Sequence, residues 1–505
     1  MDALTGLIVG LQSALQPTIL LYCFVGVFLG TLIGVLPGIG ALATISLLLP
    51  ITFHIEPTAA IVMLAGVYYG AQYGGSTASV LLNLPGTPSS AVACLDGYPM
   101  AKQGRAGVAL FTTTIASFVG SLVGIAMLVV FAPSIAKFGL KFGPAEYFSM
   151  MLLGLIAAST LASGSLVKGL AMVVLGLLLG TVGMDINSGV SRFTFGSLNL
   201  IDGISLVALA MGVFGISEVV STVNKIRERK VDGKITFRSM LPTEQEARSS
   251  VMPMIRGSSI GSFFGALPGT GASVASFMSY AVEKRVAADR SRFGQGAIEG
   301  VAAPESANNA AAQTAFVPTL SLGIPGDAVM ALMLGALIIH GIQPGPQLIA
   351  EQPSLFWGLI VSFGIGNLML VILNLPLIGV WVALLRIPYG VLYPAILIFI
   401  ALGVYSVNSS TFDIVMVAAV GAVGYLLLVF RFEAAPLLLG FVLGPLMEEN
   451  LRRSLLLSRG SLTTFIERPI SALFIALCSA LILWSLLGAL KQWLRDSECG
   501  RRDLS

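Results

Sequence analysis

Charge is scarce in this chain. Charged residues make up 10% of its 505 positions, whereas soluble domains carry about 25%. Hydrophobic residues make up 56%, and the mean hydropathy is +0.91. A helix needs roughly 20 apolar residues to span a bilayer. Apolar runs close to that length recur along the whole sequence. These features exclude an ordinary soluble protein and predict an all-α polytopic membrane protein with about 12 membrane elements.

The signatures of enzymes are also missing. The sequence contains no HExxH, GxSxG or P-loop motif, and its two histidines, His54 and His340, are far apart. The four cysteines are scattered and form no CxxC pair. We therefore expect no enzymatic activity, no cofactor and no resident metal. Without a P-loop, energy would come from an ion gradient, with Na⁺ or H⁺ as coupling ion. The net charge of +3 is diffuse, so nucleic acid is not expected as a partner.

One polar stretch, residues 224–250, interrupts the hydrophobic rhythm near the midpoint. Seven basic residues lie in it: Lys225, Arg227, Arg229, Lys230, Lys234, Arg238 and Arg248. Basic loops remain in the cytoplasm, so this linker is predicted to be cytoplasmic. The sequence thereby divides into a first membrane repeat (1–223), the linker, and a second membrane repeat with a C-terminal helix and short tail (251–505).

The two halves share motifs. Residues 34–41 read GVLPGIGA and residues 265–272 read GALPGTGA, with six of eight positions identical. Each is followed by a second Pro-Gly site, SVLLNLPG at 79–86 and TLSLGIPG at 319–326. This second match is weaker, but it occurs in the same order. Internal repeats of this kind are common in secondary transporters.

The distribution of Lys and Arg predicts that the repeats are inverted. Residues 50–58 carry no Lys or Arg, whereas their counterpart, 281–297, carries four. Residues 97–107 carry two, and their counterpart, 340–353, carries none. Matched loops thus favour opposite faces of the membrane, with the N-terminus outside. Five basic residues would then lie outside, against the same rule: Lys137, Lys141, Arg452, Arg453 and Arg459.

The Pro-Gly motifs are predicted to break helices, because proline lacks a backbone donor and glycine loosens the helical ladder. Backbone groups freed inside a membrane must be satisfied by protein, water or a ligand. The N-termini of half-helices offer free N–H groups and a positive dipole end. Such ends would hold an anion without an arginine, which is costly to bury in a membrane. The alternative is that the small residues serve close helix packing alone.

The residues around the breaks form the candidate site for substrate and ion. Hydroxyls and amides donate to carboxylates, and oxygen ligands suit hard cations. Glu305 is the candidate functional carboxylate, because it lies beside a break. The candidates in the first half are Pro37, Gly38, Gly40, Asn83, Pro85, Gly86, Thr87, Ser89 and Ser90. Those in the second half are Pro268, Gly269, Thr270, Gly271, Ser273, Glu305, Ser306, Asn308, Asn309, Pro325, Gly326 and Asp327.

These motifs resemble those of a known family. GTLIGVLPGIGALATISLLLP, YYGAQYGGSTASVLLNLPGTPSSAVACLDGYPMAKQG and EGVAAPESANNAAAQTAFVPTLSLGIPGDAVMALMLGALIIHGIQPGP resemble the large membrane subunit of the tripartite tricarboxylate transporters. The resemblance implies a multi-pass protein of the bacterial inner membrane that works with a small membrane subunit and a periplasmic solute-binding protein. It implies gradient-driven uptake of citrate-like tricarboxylates or related carboxylates. It supplies no binding residue.

Two other functions stay open at this point. One alternative is a secondary transporter of another solute class, such as an amino acid, an aromatic acid or a neutral compound. A more remote alternative is a membrane-embedded enzyme, which requires a catalytic cluster that the sequence does not contain. The sequence does not name the substrate, because selectivity in such a system can lie on the separate binding protein.

Overall fold

A computed structural model describes residues 3–36, 40–161, 165–185, 188–222, 237–267, 270–385 and 389–502. The structure is 81% helical. The prediction of a nearly all-α protein with apolar helices is confirmed. Four of the candidate site residues lie outside the described residues: Pro37, Gly38, Pro268 and Gly269.

The helices follow one another with short connections. The first part of the chain forms α1 (Ala3–Ala14), α2 (Pro17–Val35), α3 (Ala41–Thr52), α4 (Pro57–Leu82), α5 (Ala93–Met100), α6 (Ala106–Gly139), α7 (Pro144–Leu161), α8 (Leu166–Gly180), α9 (Leu206–Ala210) and α10 (Ser217–Thr222). The middle part forms α11 (Phe237–Met240), α12 (Glu244–Gly265), α13 (Gly271–Val286), α14 (Glu299–Thr314), α15 (Phe316–Leu322), α16 (Ala328–Ile339), α17 (Leu348–Glu351) and α18 (Pro353–Asn374). The last part forms α19 (Ile378–Leu384), α20 (Tyr389–Asn408), α21 (Thr411–Val429), α22 (Ala435–Leu457), α23 (Thr464–Glu467) and α24 (Pro469–Arg502).

Short segments complete the secondary structure of the described residues. Three 3₁₀ turns occupy Pro88–Val92, Leu198–Leu200 and Arg290–Arg292, and two π-helical segments occupy Ala101–Arg105 and Met211–Ile216. Two strands, β1 (Gly183–Met184) and β2 (Ser191–Arg192), pair antiparallel.

The chain forms two compact units. The first comprises Met1–Leu140 and Ser205–Val429, and the second comprises Lys141–Ile204 and Phe430–Ser505. In the second unit α7 packs against α24 and α22, and α8 packs against α22. All the candidate site residues that the structure describes belong to the first unit.

Several helices suit a membrane. By length and composition, four helical stretches among the described residues are long and apolar enough to cross one: Pro17–Val35, Pro88–Gly139, Pro353–Asn374 and Thr411–Val429. Seven shorter apolar helices accompany them. The figure of about 12 membrane elements stays a prediction.

Glycine stripes bring two pairs of helices into backbone contact in the first unit. Gly26, Gly30 and Gly34 of α2 face α4, where a Cβ added at Gly30 would lie 2.5 Å from the carbonyl oxygen of Val67. The counterparts on α12, residues 257, 261 and 265, are also glycines, and they face α14. Small residues at this spacing let helix backbones approach closely. The repeat therefore extends from the Pro-Gly motifs into the helices before them.

The central helix of each half also packs against a helix of the other half. The central helix of the first half, α4, packs against α2 of its own half and α18 of the other. The central helix of the second half, α14, packs against α12 of its own half and α6 of the other. Because α6 and α18 occupy matching places in the repeats, the exchange is reciprocal. The inverted orientation of the repeats stays a prediction.

Candidate functional site

The first return loop, residues 83–90, is the turn after α4. Asn83 ends α4 in the left-handed conformation, with φ of 55°. The chain then folds back along α4, so that Gly86 lies against Gly34 and Gly75. A Cβ at Gly86 would lie 2.0 Å from the carbonyl oxygen of Gly34. Only glycine fits this contact, because the obstacle is a backbone atom that cannot rotate away as a side chain can.

The second return loop, residues 323–327, repeats this path. Gly323 ends α15 with φ of 72°, and the chain folds back until Gly326 faces Gly265 and Ala315. A Cβ at Gly326 would lie 3.5 Å from the carbonyl oxygen of Gly265, so this contact is looser than its counterpart. The Pro-Gly sites of both halves therefore break helices in the way that the sequence predicted.

Hydroxyl groups fill the tip of the first return loop. The Thr87 side chain caps the turn that follows, accepting from the Ser90 backbone N–H at 3.3 Å, and the Ser90 hydroxyl accepts from the Thr87 N–H at 3.1 Å. Ser89 hydrogen-bonds the side chain of Gln72 on α4. Ser79, also on α4, hydrogen-bonds Ser90 at 3.1 Å. All five side chains are buried.

A carboxylate stands at the matching position of the second return loop. Asp327, like Thr87, follows a Pro-Gly pair and caps the helix that comes after it. Its side chain accepts from the Met330 N–H at 2.9 Å. Its other oxygen accepts from the hydroxyl of Tyr68 on α4 at 2.8 Å. Gly271, the first residue of α13, lies beside it, since a Cβ there would be 3.4 Å from Asp327 Cβ.

The two return loops thus meet the same face of α4. Tyr68 contacts the second loop and Gln72 the first; residues four apart lie on one helix face, about 6 Å apart along the axis. Ser276 of α13 donates to the Ser89 carbonyl at 2.9 Å, which joins α13 to the first loop. We call this region the loop-tip site: Tyr68, Gln72, Thr87, Ser89, Gly271 and Asp327. Gly271 and Asp327 are half-buried, so the site is not completely closed.

A second carboxylate faces the other LPG segment. The backbone N–H of Gly40, just before α3, donates to Glu218 of α10 at 3.2 Å. Gly40 and Gly271 are counterparts in the repeat, so the start of α3 and the start of α13 each lie beside a carboxylate. In each case a negative group lies at the positive end of a helix, where it is stabilised.

A separate polar group, the Glu305 cluster, lies where α4, α6 and α14 meet: Ser76, Ser117, Glu305, Asn308 and Asn309. Glu305 is 1% exposed and accepts from the Ser117 hydroxyl at 3.0 Å. Ser76 of α4 is near this carboxylate, and its hydroxyl donates to the Gln72 carbonyl at 3.3 Å. The structure thus places Glu305 with Asn308 and Asn309, but in a cluster distinct from the loop tips, where Asn83 lies.

The remaining candidate residues have mainly backbone or packing roles. Asn83 and Pro85 are exposed. Thr270 donates to the carbonyl oxygen of Leu267 at 3.0 Å, which closes the turn before α13. Ser306 faces Gly257, where a Cβ would lie 2.3 Å from its hydroxyl. Ser273 is half-buried on the first turn of α13, and Pro325 is buried.

Sequence reasoning missed four residues that complete these clusters: Tyr68, Gln72, Ser117 and Glu218. Tyr68 and Gln72 lie within GVYYGAQYGG, where their spacing of four residues was the available signal. Ser117 and Glu218 gave no such signal, because their partners come from distant parts of the chain. Among the described residues, no group of three or more His, Cys, Asp or Glu side chains could hold a metal ion.

Comparison with known proteins agrees with this architecture. Residues 20–439 match the family described as "Tripartite tricarboxylate transporter TctA family". The chain is 52% identical over 491 residues to the "Uncharacterized 52.8 kDa protein in TAR-I ttuC' 3'region" of Agrobacterium vitis, covering 97% of this chain and 98% of that protein.

A second protein of Agrobacterium vitis, "Uncharacterized protein in TAR-II ttuC' 3'region", is 55% identical over 231 residues, which are 46% of this chain and 96% of that protein. No solved structure matches the chain. The family is one of transporters, and its membership implies a system with further subunits. The apolar helices and a family match over most of the chain lead to one conclusion: this membrane protein belongs to the tripartite tricarboxylate transporter TctA family.

Proposed function

We propose that this chain is the large transmembrane subunit of a secondary transporter that takes up tricarboxylates or related carboxylates, and that it binds them at the loop-tip site. One observation carries the proposal: two repeat-related return loops bring the starts of two helices, at Thr87 and Asp327, to the same face of α4. Transporter sites form where broken helices of two repeats meet.

The loop-tip site holds an anion by backbone and hydroxyl groups rather than by basic side chains. Helix starts have a positive dipole end and N–H groups that can donate to an anion; here Thr87 and Asp327 cap the Ser90 and Met330 N–H groups. Tyr68, Thr87 and Ser89 supply hydroxyl donors, and Gln72 supplies an amide. Asp327 would repel a carboxylate unless a cation or proton neutralises it, which suits a substrate that travels together with a cation.

The other parts of the proposal follow from family membership and sequence. The chain works in the bacterial inner membrane as a multi-pass protein. Its partners are a small membrane subunit and a periplasmic solute-binding protein, and a Na⁺ or H⁺ gradient supplies the energy. The family name favours carboxylates over the other solute classes, which are amino acids, aromatic acids and neutral compounds.

Proteoliposomes that contain both membrane subunits, supplied with the binding protein and an imposed gradient, test this function. Labelled tricarboxylates, dicarboxylates, aromatic acids and amino acids are compared with and without the gradient. We expect gradient-dependent uptake of a carboxylate. Uptake that persists without a gradient and requires ATP, or that is restricted to an amino acid or neutral solute, would contradict the proposal.

Variants of the same preparation locate the site. Gln72→Leu and Tyr68→Phe should raise the KM for the carboxylate about tenfold each, if each removes one buried hydrogen bond worth roughly 1.4 kcal/mol. Ser259→Ala is the matched control, because Ser259 is an exposed serine whose hydroxyl bonds only its own helix. An unchanged KM in both site variants would place the substrate elsewhere.

A further inference from the structure

We propose that the Glu305 cluster is a Na⁺ site, separate from the loop-tip site, formed by oxygens of α4, α6 and α14. The inference rests on the proposed function, because the bound ion would be the one whose gradient drives uptake. The proposed function requires only that some coupling ion binds. This inference adds where the ion binds and which residues bind it, Ser76 and Ser117 among them.

The first argument is charge. Glu305 is 1% exposed, and no ion pair reaches it among the residues that the structure describes. An isolated carboxylate inside a protein is strongly disfavoured, so it must pair with a cation or take up a proton. Tyr73 of α4 is a titratable side chain within electrostatic range, but a phenol carries no positive charge. A mobile cation or a proton therefore remains as the partner.

The second argument is an excess of oxygens. The Asn309 amide nitrogen has four acceptors within reach: Ser117 Oγ at 2.8 Å, Glu305 O at 3.1 Å, Glu305 Oε1 at 3.4 Å and Asn308 Oδ1 at 2.5 Å. An NH₂ group has only two hydrogens to donate. Two of these four oxygens therefore receive no hydrogen from Asn309, and a cation would satisfy them.

The third argument is unpartnered polar atoms. Asn309 Oδ1, Asn308 Nδ2 and Ser121 Oγ are buried without a hydrogen-bond partner, and so are both polar atoms of Gln313. All four side chains are fully buried. Buried polar groups without partners are costly. A bound cation would satisfy the unpartnered oxygens of Asn309, Ser121 and Gln313, whereas the amide nitrogens of Asn308 and Gln313 are donors and need acceptors. Rotation of the Asn309 amide would bring its unpartnered oxygen to face the Glu305 carboxylate.

The chemistry selects the ion. One carboxylate balances one positive charge, so a monovalent cation leaves the cluster neutral and a divalent cation does not. A proton would need only one oxygen of Glu305, whereas hydroxyl groups and the Asn308 and Asn309 amides lie around the carboxylate. The helices are in backbone contact here, since a Cβ at Gly120 would lie 2.1 Å from the Ser306 carbonyl oxygen. Close packing favours Na⁺ over the larger K⁺.

Na⁺ binding to the purified subunit, without substrate or gradient, tests this inference. Thermal unfolding and titration calorimetry are measured in NaCl, KCl and choline chloride at constant ionic strength. We expect Na⁺ to raise the unfolding midpoint in a saturable way and K⁺ to do so at least tenfold less effectively. Glu305→Gln should abolish the Na⁺ effect, and Ser117→Ala should weaken Na⁺ binding about tenfold.

Ser259→Ala is the matched control for Ser117→Ala, because Ser259 is an exposed serine whose hydroxyl bonds its own helix. Asp327→Asn tests whether the loop-tip carboxylate holds the ion instead. Loss of the Na⁺ effect in Asp327→Asn but not in Glu305→Gln would overturn the inference. So would equal effects of Na⁺ and K⁺, or a response to pH alone that Glu305→Gln removes. Na⁺ binding without carboxylate uptake in proteoliposomes would instead contradict the proposed function while leaving this site in place.

Discussion

Asn83 and Gly323 occupy equivalent positions at the ends of α4 and α15, and both have positive φ, 55° and 72°. Glycine adopts this conformation freely, and asparagine does so more readily than other residues. The repeated motif has Asn in the first half and Gly in the second, because both residues can adopt the positive φ that the backbone requires there. A single conformation at these two positions turns each helix end into a return loop.

Variants at Asn83 separate its backbone role from the predicted role as a ligand. Asn83→Ala should lower stability by about 1 kcal/mol, because alanine is strained in the left-handed conformation. Asn83→Gly should preserve both stability and the KM for substrate. Thermal unfolding and uptake assays measure the two. A raised KM in the glycine variant would show that the amide itself binds substrate.

Gly86 tests the first return loop. In Gly86→Ala the new methyl group would lie 2.0 Å from the Gly34 carbonyl oxygen and 2.7 Å from Gly75 Cα. Both neighbours are backbone atoms, so the loop tip must move. We expect uptake to fall at least tenfold, because the free-energy cost of overpacking is large enough for a change of that size. Gly364→Ala on α18 is the control, because nothing lies within 4 Å of a Cβ there. Equal activity of both variants would refute a tight loop.

Among the elements, α4 and α14 are almost entirely buried. Their polar residues therefore face other helices and not solvent. The first half uses α4 to line both return loops, and the second half uses α14 to carry the Glu305 cluster. The two central helices thus have different chemical tasks despite their matching places in the repeat.

Glycine contacts hold these helices in place. Gly261→Ala would place a methyl group 2.1 Å from the Ala307 carbonyl oxygen, which must push α12 away from α14. We expect a loss of about 1–3 kcal/mol, seen as a lower unfolding midpoint. Gly379→Ala, with nothing within 4 Å of its Cβ, should change the midpoint little. A Gly261 variant as stable as that control would contradict the close packing.

Asp96 joins α5 to the segment before α14. It is fully buried, and its Oδ1 accepts from the N–H groups of Gly294, Gly296 and Ala297 at 2.8–2.9 Å. Tyr280 donates to its Oδ2 at 2.9 Å. Three of the four groups that donate to Asp96 are backbone N–H groups, whereas the hydrogen bonds to the Glu305 carboxylate come from side chains.

Asp96→Asn should destabilise the protein by about 1.5–3 kcal/mol, because charge-assisted hydrogen bonds are lost and an amide NH₂ faces a donor. The control is Asp289→Asn, which alters an exposed carboxylate in the same segment. Chemical or thermal unfolding of the purified variants measures the difference. Equal stability of the two variants would mean that the buried hydrogen bonds contribute nothing net.

The sequence predicted the elements of the site better than their arrangement. Repeated LPG and Pro-Gly motifs indicated broken helices, since proline and glycine act locally. The separation of Glu305 from the return loops was not predicted. Ser117 lies 188 residues from Glu305, and only the exchange of packing partners between halves brings them together. Long-range contacts of this kind leave no periodic signal in a single sequence.

At the scale of the molecule, the loops sort into two groups. Gln103 donates to the Gln295 carbonyl at 2.8 Å, and Arg105 pairs with Glu246 at 2.6 Å. The basic segments 97–107 and 281–297 therefore lie together with the end of the polar linker. Glu56, in turn, lies within electrostatic range of His340. The two loops without Lys or Arg, residues 50–58 and 340–353, therefore lie near each other.

This grouping supports a topological prediction. We expect single cysteines at 102 and 290 to be labelled from the cytoplasmic face, and one at position 53 from the periplasmic face, in a cysteine-free background. Basic segments remain inside because translocating them is unfavourable. Labelling of 53 and 290 from the same face would contradict the inverted repeats.

The reciprocal packing of α4 with α18 and of α14 with α6 has a consequence for biogenesis. The ribosome completes α6 long before α14, so Ser117 and Ser121 enter the bilayer before their partners exist. The nascent first half then carries an unfinished polar surface, which a membrane tolerates poorly. The chain is therefore expected to reach its native state only after synthesis of α18. A gene split between codons 222 and 237 should yield stable protein only when both fragments are translated in the same cell.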